Sequence, residues 1–292
     1  MNSTSIEPGL NDGCPCGSGK NYQYCCGVES AVVPSPQILN SNEIGALVAL
    51  VNRGRLSEAE HRAHALLQRC PDAGILWKIL GVALLRQGKD ALKALRSASE
   101  LLPHDAEAHG NLGAALHDQG QWAESLVSLQ RALTIQPRNV EALVDAADAM
   151  KALGRARESV EFYQRALRLD PRLLLAQNNL GNAFLELGQY DDAARCYRLA
   201  LEIKADEAQV HCNLGNALRQ LGLLDAAMSS SRRAIALDPS LGVAHNNLGL
   251  VLAAQGRLQE AAASYRRALT LNANDAEAMN NLETALRGIG TA

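Results

Sequence analysis

A short motif recurs at multiples of 34 residues through most of this 292-residue chain. Its clearest form is Asn-Leu-Gly, and its asparagine occurs at Asn111, Asn179, Asn213, Asn247 and Asn281. Asp145 takes the place of the asparagine in the repeat between Asn111 and Asn179. A period of 34 residues is typical of helix–turn–helix units that stack into a solenoid, because one unit cannot bury its apolar face alone. We therefore expect an all-α solenoid of about seven such repeats, which begin near residues 40, 74, 106, 140, 174, 208 and 242, with a C-terminal capping helix from residue 276.

Glycine marks the turn inside every predicted repeat. One glycine stands between the two helical segments, where a left-handed turn residue is needed, at Gly54, Gly88, Gly120, Gly154, Gly188, Gly222 and Gly256. Five repeats have a second glycine inside the first helix, where it costs up to about 1 kcal/mol relative to Ala. Its recurrence predicts close helix contact, and we expect small residues of the second helices, such as Ser125 and Ala227, to be its partners.

These framework positions strongly resemble the tetratricopeptide repeat (TPR) over residues 40–292, which implies a right-handed TPR α-solenoid. The repeats from 174 to 275, such as "AQNNLGNAFLELGQYDDAARCYRLALEI", are most similar to those of the protein O-GlcNAc transferase family. In that family, asparagines of the first helices form a ladder on the inner surface and hold the backbone of an extended polypeptide. The resemblance implies this peptide-binding role for Asn111, Asn179, Asn213, Asn247 and Asn281, and the asparagines beside that ladder are Asn178, Asn182, Asn216 and Asn246.

Asparagine suits the recognition of a peptide backbone. Its amide has both donors and acceptors, so it can pair with a peptide unit whatever side chain that unit carries. Ile79 and Asp145 interrupt the ladder, and we therefore expect the stronger surface from residue 174 onward. The alternative interpretation is that asparagine is simply common in the repeat consensus and binds no ligand.

A different sequence, "GCPCGSGKNYQYCCG", precedes the repeats and contains four cysteines. Cys14, Cys16, Cys25 and Cys26 form two pairs around a glycine-rich loop, a set that suits tetrahedral zinc. The Gly-Ser-Gly-Lys within it lacks the spacing of a phosphate-binding loop, since Asn21 stands where Ser or Thr would follow the lysine. A tail without structure is the alternative. We predict a zinc knuckle at residues 12–28 and a flexible linker at residues 29–39.

The order Cys-x-Cys-x-Ser-Gly followed by Cys-Cys resembles the SEC-C zinc-binding motif. That motif occurs at the C-terminus of the bacterial SecA motor and in many other bacterial proteins. The resemblance implies that Cys14, Cys16, Cys25 and Cys26 are the four zinc ligands and that the knuckle docks onto other proteins. Four protein ligands leave no open coordination position, so the zinc is expected to be structural.

Composition excludes several classes of function. The net charge of −3 and the absence of basic clusters argue against nucleic-acid binding. The sequence has no run of the roughly 18–20 apolar residues that a membrane span requires. The N-terminus has neither the cationic start nor the apolar core of a signal peptide. We expect a cytoplasmic protein without membrane contact, in which the seven cysteines stay reduced.

No nucleophile with a nearby base, paired carboxylates or nucleotide signature is evident in the sequence. His109, His211 and His245 recur at the repeat position of Trp77, and we interpret them as packing residues. The sequence therefore predicts a non-enzymatic scaffold that binds an extended protein segment in its groove and has the zinc knuckle as a second docking site. The alternative is the substrate-recognition part of a TPR-linked glycosyltransferase or sulfotransferase.

Overall fold

The computed structural model describes residues 39–290, and those residues form fifteen α-helices and no strand. The helices are α1 Ser41–Asn52, α2 Leu56–Arg69, α3 Gly74–Leu85, α4 Leu92–Leu101, α5 Ala106–Asp118, α6 Trp122–Ile135, α7 Val140–Ala152, α8 Ala156–Leu169, α9 Leu174–Glu186, α10 Tyr190–Ile203, α11 Ala208–Gln220, α12 Leu224–Leu237, α13 Gly242–Ala254, α14 Leu258–Leu271 and α15 Ala276–Gly290. Seven helix pairs and a final single helix follow one another. The predicted all-α solenoid is confirmed.

Seven glycines connect the two helices of the seven repeats. Each of them, from Gly54 in the first repeat to Gly256 in the last, has a positive φ between 67° and 77°. This left-handed conformation is accessible to glycine at little cost, whereas a Cβ would be strained there. The same turn therefore recurs in every repeat, and it sets the angle between the paired helices.

The helix contacts define an inner and an outer surface. The first helix of each repeat contacts the first helix of the next, in the series α1, α3, α5, α7, α9, α11, α13 and α15. Within residues 39–290, no second helix contacts the second helix of a neighbouring repeat. The first helices are therefore closer together, and the array curves around them. We call the surface that they line the concave groove.

Four of the five recurring first-helix glycines pack against large side chains, whereas Gly215 packs against the small Ser231 and the backbone of Ala227. A Cβ at Gly113 would lie 2.5 Å from Leu129 Cγ, and one at Gly181 would lie 2.6 Å from Tyr197 Cε1. The small residues predicted as partners are close but do not fill this space in either case; Ser125 instead donates to the Gly113 carbonyl at 2.7 Å. The physical reason is that the residue one helical turn later in the second helix faces the glycine.

A second recurring contact secures the turn between repeats. In four repeats, the same position of the first helix has a ring nitrogen that hydrogen-bonds the backbone carbonyl six residues earlier. Trp77 Nε1 donates to the Pro71 carbonyl at 2.7 Å. The Nε2 atoms of three histidines lie at similar distances from their carbonyls: His109 to Pro103 at 3.2 Å, His211 to Ala205 at 2.9 Å and His245 to Pro239 at 3.1 Å. These imidazoles and the indole therefore hold the end of the preceding second helix against the next first helix.

Candidate functional site

The asparagine ladder lies along the concave groove, one residue on each of five first helices. Asn111 is on α5, Asn179 on α9, Asn213 on α11, Asn247 on α13 and Asn281 on α15. Their shared register follows from the 34-residue period, since equivalent residues of stacked repeats face the same side. Asn247 is only 8% exposed, whereas the other four are half-buried.

Four of the five ladder amides donate to the preceding repeat. Asn179 Nδ2 donates to Asp148 at 2.8 Å, and Asn213 Nδ2 donates to Asn178 and Asn182 at 3.1 and 3.2 Å. Asn281 Nδ2 bonds Asn246 at 3.1 Å, and Asn247 Nδ2 bonds the carbonyl and the sulfur of Cys212 at 3.4 and 3.3 Å. We call this network of amides on α9, α11, α13 and α15 the asparagine lattice.

Two of the four asparagines beside the ladder, Asn182 and Asn216, have local partners. Asn182 Oδ1 accepts from the Tyr197 hydroxyl at 2.7 Å as well as from Asn213, so it joins the second helix α10 to the lattice. Asn216 Oδ1 accepts from Arg219 at 3.0 Å on its own helix. Both side chains are half-buried on the groove.

Asn111 differs from the rest of the ladder. Its Nδ2 is buried and has no hydrogen-bond partner among residues 39–290. In the preceding repeat, the positions that supply side-chain acceptors elsewhere in the array are occupied by Lys78 and Val82, whose side chains cannot accept a hydrogen bond. A donor left unsatisfied in this way costs roughly 1–3 kcal/mol. An acceptor from outside the chain would remove that cost.

Asp148, which the sequence motifs did not identify, connects the lattice to the fourth repeat. Its carboxylate accepts from both Asn179 and the hydroxyl of Tyr163, a tyrosine with no exposed surface. Burial, followed by the nearby Asp148 charge, raises the pKa of Tyr163 well above its usual range, so its hydroxyl remains a donor. The 34-residue spacing could have identified Asp148, because it occupies the repeat position of Asn182 and Asn216.

An apolar pocket of about 240 Å³ lies between α1 and α3 at the N-terminal end of the groove. Its lining is aliphatic, with Val48, Val51, Ile75, Ile79 and Val82, and it has Asn52, Lys78 and Glu107 at its edge. Val48 is 41% exposed there, whereas Ile79 is 6% exposed and belongs to the core beneath. We call it the aliphatic pocket.

A second pocket of about 360 Å³ lies between α5 and α7. Three carboxylates, those of Glu107, Glu141 and Asp145, line it together with Asn111. Glu107 also lines the aliphatic pocket, so the two are adjacent along the groove. We call this second cavity the acidic pocket.

The charges around these pockets are unevenly balanced. Lys78 Nζ contacts Asp105 at 2.7 Å and Glu107 at 2.8 Å; burial alone would lower the pKa of this ammonium, but the two hydrogen bonds outweigh burial and raise it. Burial raises the pKa of the Asp145 carboxyl to about 6, with Asp148, Asp118 and Glu141 adding to the rise and His117 opposing it. The groove between α5 and α7 is therefore an environment that favours added positive charge.

The predicted zinc ligands Cys14, Cys16, Cys25 and Cys26 lie outside the described residues. Within residues 39–290, no group of three or more His, Cys, Asp or Glu side chains is arranged to hold a metal ion. Cys196 and Cys212 are buried among the helices, and burial raises the pKa of each thiol to about 11. None of the helices in this part of the chain is long and apolar enough to cross a membrane.

Models of known protein families match both the repeats and the segment that precedes them. Models described as "TPR repeat" or "Tetratricopeptide repeat" match residues 46–92, 104–172, 162–195, 181–222, 215–256 and 242–275. The model of the SEC-C motif matches residues 11–27. Among curated proteins, no sequence matches significantly.

Solved structures of helical-repeat proteins share the fold. A chain of the APC/C hetero-tetramer Cut9–Hcn1 is 19% identical with a TM-score of 0.63, over 85% of this chain and 49% of that one, so this protein spans about half of its length. A tetratricopeptide repeat protein from Parabacteroides merdae is 18% identical with a TM-score of 0.59, over 84% and 98% of the two chains. YrrB, described as a TPR protein with an unusual peptide-binding site, is 21% identical with a TM-score of 0.55, over 65% and 97%.

The family matches extend over most of residues 46–275, and the fold has the same paired helices throughout. Both cysteine pairs lie within the match at residues 11–27. This chain belongs to the tetratricopeptide repeat family and has a SEC-C motif ahead of its repeats.

Proposed function

We propose that this protein is a non-enzymatic scaffold that binds an extended segment of another protein in its concave groove. One observation carries the proposal. Five first helices place an asparagine at the same register of the groove, and four of these side chains remain half-exposed. Membership of the TPR family supports a protein-interaction scaffold in general.

The lattice leaves the amides able to bind a second partner. A primary amide has two N–H donors and an oxygen with two lone pairs. Asn179 uses one donor on Asp148, and Asn281 uses one on Asn246. Asn179 Oδ1 also accepts from Asn178 at 3.2 Å, which leaves it one lone pair. The remaining donor and acceptor capacity of each amide is held in a fixed orientation, and this preorganisation lowers the entropic cost of binding a peptide unit.

The solved structure of YrrB adds support from outside the chain, because its description reports a peptide-binding site in a protein of the same fold. Backbone hydrogen bonds contribute about 0.5–1.5 kcal/mol each. Micromolar affinity requires about 8 kcal/mol. A client must therefore also bury side chains against the groove.

We further propose that the SEC-C segment binds one structural Zn²⁺ through Cys14, Cys16, Cys25 and Cys26 and docks onto a second protein. Thiolate ligands require reduced cysteines, which fits a cytoplasmic location. Binding of the metal would supply the folding free energy of so short a segment. Elemental analysis of purified, reduced protein should find close to one zinc per chain, and a Cys25→Ser, Cys26→Ser variant should lose it. Full-chain protein that holds no zinc would refute this part of the proposal.

Groove binding is tested with a phage-displayed library of random dodecapeptides, selected on the immobilised full chain. Asn111→Ala combined with Asn216→Ala removes two groove amides that make no bond to another repeat. We expect the selected peptides to bind this variant at least about tenfold more weakly, a loss of roughly 1.4 kcal/mol.

The matched control is Gln130→Ala combined with Gln164→Ala, which removes two exposed amides from the second helices α6 and α8. The control should bind the selected peptides as the wild type does. A library that yields no binder, or peptides that bind both variants and the wild type equally, would contradict a working groove.

A further inference from the structure

The aliphatic pocket has the size and lining of a site for one apolar side chain. A volume of about 240 Å³ admits a leucine, isoleucine or phenylalanine side chain, and five aliphatic residues surround it. Val48 is 41% exposed in its wall, so an occupant would remove apolar surface from water on both partners.

The acidic pocket next to it has the opposite character. Glu107, Glu141 and Asp145 line it, and no lysine or arginine does. The ammonium of Lys78 contacts Asp105 and Glu107, so Glu141 and Asp145 are the carboxylates of the pocket that make no ion pair within the described residues. Electrostatic complementarity therefore favours a lysine or arginine side chain at this point of the groove and opposes an acidic one.

Asn111 supplies a third indication in the wall of the acidic pocket. Its Nδ2 is the buried donor that lacks a partner among residues 39–290. Because the side chain as a whole is only half-buried, a rotation of the amide toward the pocket would let the carbonyl oxygen of an extended chain that runs across α5 satisfy it. One extended peptide can therefore supply a partner for all three features: a carbonyl oxygen for the unpaired donor, an apolar side chain for the aliphatic pocket and a basic side chain for the acidic pocket.

The helix spacing sets the distance between the two side chains. The aliphatic pocket lies between α1 and α3, and the acidic pocket lies between α5 and α7. Because Glu107 of α5 lines both, the two pockets are between one and two helix spacings apart, or roughly 8–20 Å for helices packed 8–10 Å apart. An extended chain advances roughly 3.3 Å per residue. The two side chains would therefore be about three to six residues apart in the client.

Building on the proposed groove binding, we propose that the client segment is bipartite: an aliphatic or aromatic side chain enters the aliphatic pocket, and a lysine or arginine about three to six residues away enters the acidic pocket. The anchoring site then lies in the first four repeats, rather than from residue 174 onward as the asparagine ladder alone suggests. The asparagine lattice extends the groove beyond this anchor.

The environment of Asp145 gives the proposal a second, independent signature. Besides Glu141 and Asp148 on its own helix, the charged groups that face Asp145 are Asp118 and the titratable His117, both on α5. A client cation would stabilise the ionised form of Asp145, so binding would be accompanied by proton release below about pH 6. Affinity should consequently rise as the pH increases from 5 to 7.

The experiment is the dodecapeptide selection on the full chain, read for composition. We expect the enriched peptides to share an apolar residue and a lysine or arginine about three to six positions apart, and to bind more weakly as salt is raised. Peptides that bind but show no such pair, or that are enriched in acidic residues, would overturn the bipartite client and leave groove binding intact. A library without any binder would refute both.

Two variants test whether the apolar and the basic side chain of the client bind in these two pockets. Val48→Ser should weaken the selected peptides about three- to tenfold by making the aliphatic pocket more polar. Glu141→Gln should weaken them by a similar factor, reduce their salt dependence and leave a peptide with its basic residue replaced by Gln unaffected.

The controls make the same changes on second helices. Val127→Ser alters a valine that is 68% exposed on α6, and Glu161→Gln alters an exposed glutamate on α8. Both should bind the selected peptides as the wild type does. Equal losses in the pocket variants and these controls would show that overall charge or stability, and not the two pockets, determines affinity.

Discussion

The two halves of the concave groove use the same repeat position in different ways. In the C-terminal half, the ladder asparagines of α9, α11, α13 and α15 donate to an acceptor in the preceding repeat. In the N-terminal half, Asn111 has no such acceptor within the described residues, and pockets take the place of the network. An acceptor beside the ladder position of the preceding repeat therefore decides whether an asparagine joins two repeats or remains available for a ligand.

The packing beneath the groove also differs between the N-terminal and the C-terminal half. The first-helix glycines of the N-terminal half face leucine side chains, Leu95 and Leu129, whereas Gly181 and Gly249 face the rings of Tyr197 and Tyr265. Leu95 and Leu129 are as fully buried as Tyr197, but only Tyr197 is also held by a hydrogen bond, which its hydroxyl donates to Asn182. We infer that the C-terminal half is the more rigid of the two.

The largest expected effect tests this rigidity. Gly181→Ala would place a Cβ 2.6 Å from the Tyr197 ring, whose displacement also breaks the bond to Asn182. We expect it to lower the free energy of unfolding by about 2–3 kcal/mol, and Gly113→Ala, which meets Leu129, by only about 1 kcal/mol. Urea unfolding followed by circular dichroism measures both. Equal losses would contradict the difference in rigidity.

The next effect concerns the junction between the halves. Asp148→Ala leaves the buried hydroxyl of Tyr163 and the amide of Asn179 without their common acceptor. We expect a loss of about 2 kcal/mol in the free energy of unfolding. Hydrogen exchange should then become faster in α8 and α9 before it changes elsewhere. Asp118→Ala, at a side chain that is 82% exposed, is the control and should have little effect.

A smaller effect compares two ladder positions directly. Asn213→Ala removes two bonds to the preceding repeat and should cost about 1–2 kcal/mol. Asn111→Ala removes a donor that has no partner among residues 39–290, so its cost should be near zero or even negative. Thermal unfolding of the two variants alongside wild type measures the contrast. Similar destabilisation by both would remove the distinction between lattice and groove asparagines.

The smallest effect is a pH dependence in the N-terminal half. Asp145 has a pKa of about 6 in the folded protein, above the value of about 3.9 expected in the unfolded chain. The folded state therefore binds more protons between these values, and stability should fall as the pH rises from 4 to 6 and then level off. With solvent screening of a half-buried group, we expect roughly 1 kcal/mol or less.

Asp145→Asn isolates this contribution, because the amide does not titrate. Its free energy of unfolding should lack the part of the decline between pH 4 and 6 that Asp145 contributes, and it should exceed that of the wild type at pH 7. Urea unfolding at several pH values provides the measurement. A wild type and variant with parallel pH profiles would show that Asp145 titrates normally in the folded state.

Much of the fold could be predicted from the sequence, but less of the site. The period of 34 residues and the turn glycines predict the number and order of the helices because they act within one repeat or between adjacent ones. The register of the ladder follows for the same reason. The glycine partners were predicted wrongly at Gly113 and Gly181, since Leu129 and Tyr197, and not the small residues one turn earlier, fill the space there. At Gly215 the predicted Ala227 does lie close, with its carbonyl oxygen 3.3 Å from an added Cβ.

The hydrogen bonds of the asparagines could not be predicted from their own motif. Asn111 and Asn179 both begin Asn-Leu-Gly, yet only Asn179 has an acceptor, because that acceptor lies 31 residues upstream on another helix. Whether two side chains so far apart in sequence meet depends on the crossing of neighbouring first helices, a property of packing that no local pattern contains.

By itself, the sequence determined the solenoid and which residues face one side of it, because periodicity places equivalent residues on equivalent surfaces. Only the tertiary structure decided which of those residues are consumed by the chain and which stay available. The aliphatic pocket, the acidic pocket and the unpaired amide of Asn111 each arise where two first helices meet, and each depends on distances between residues of different repeats.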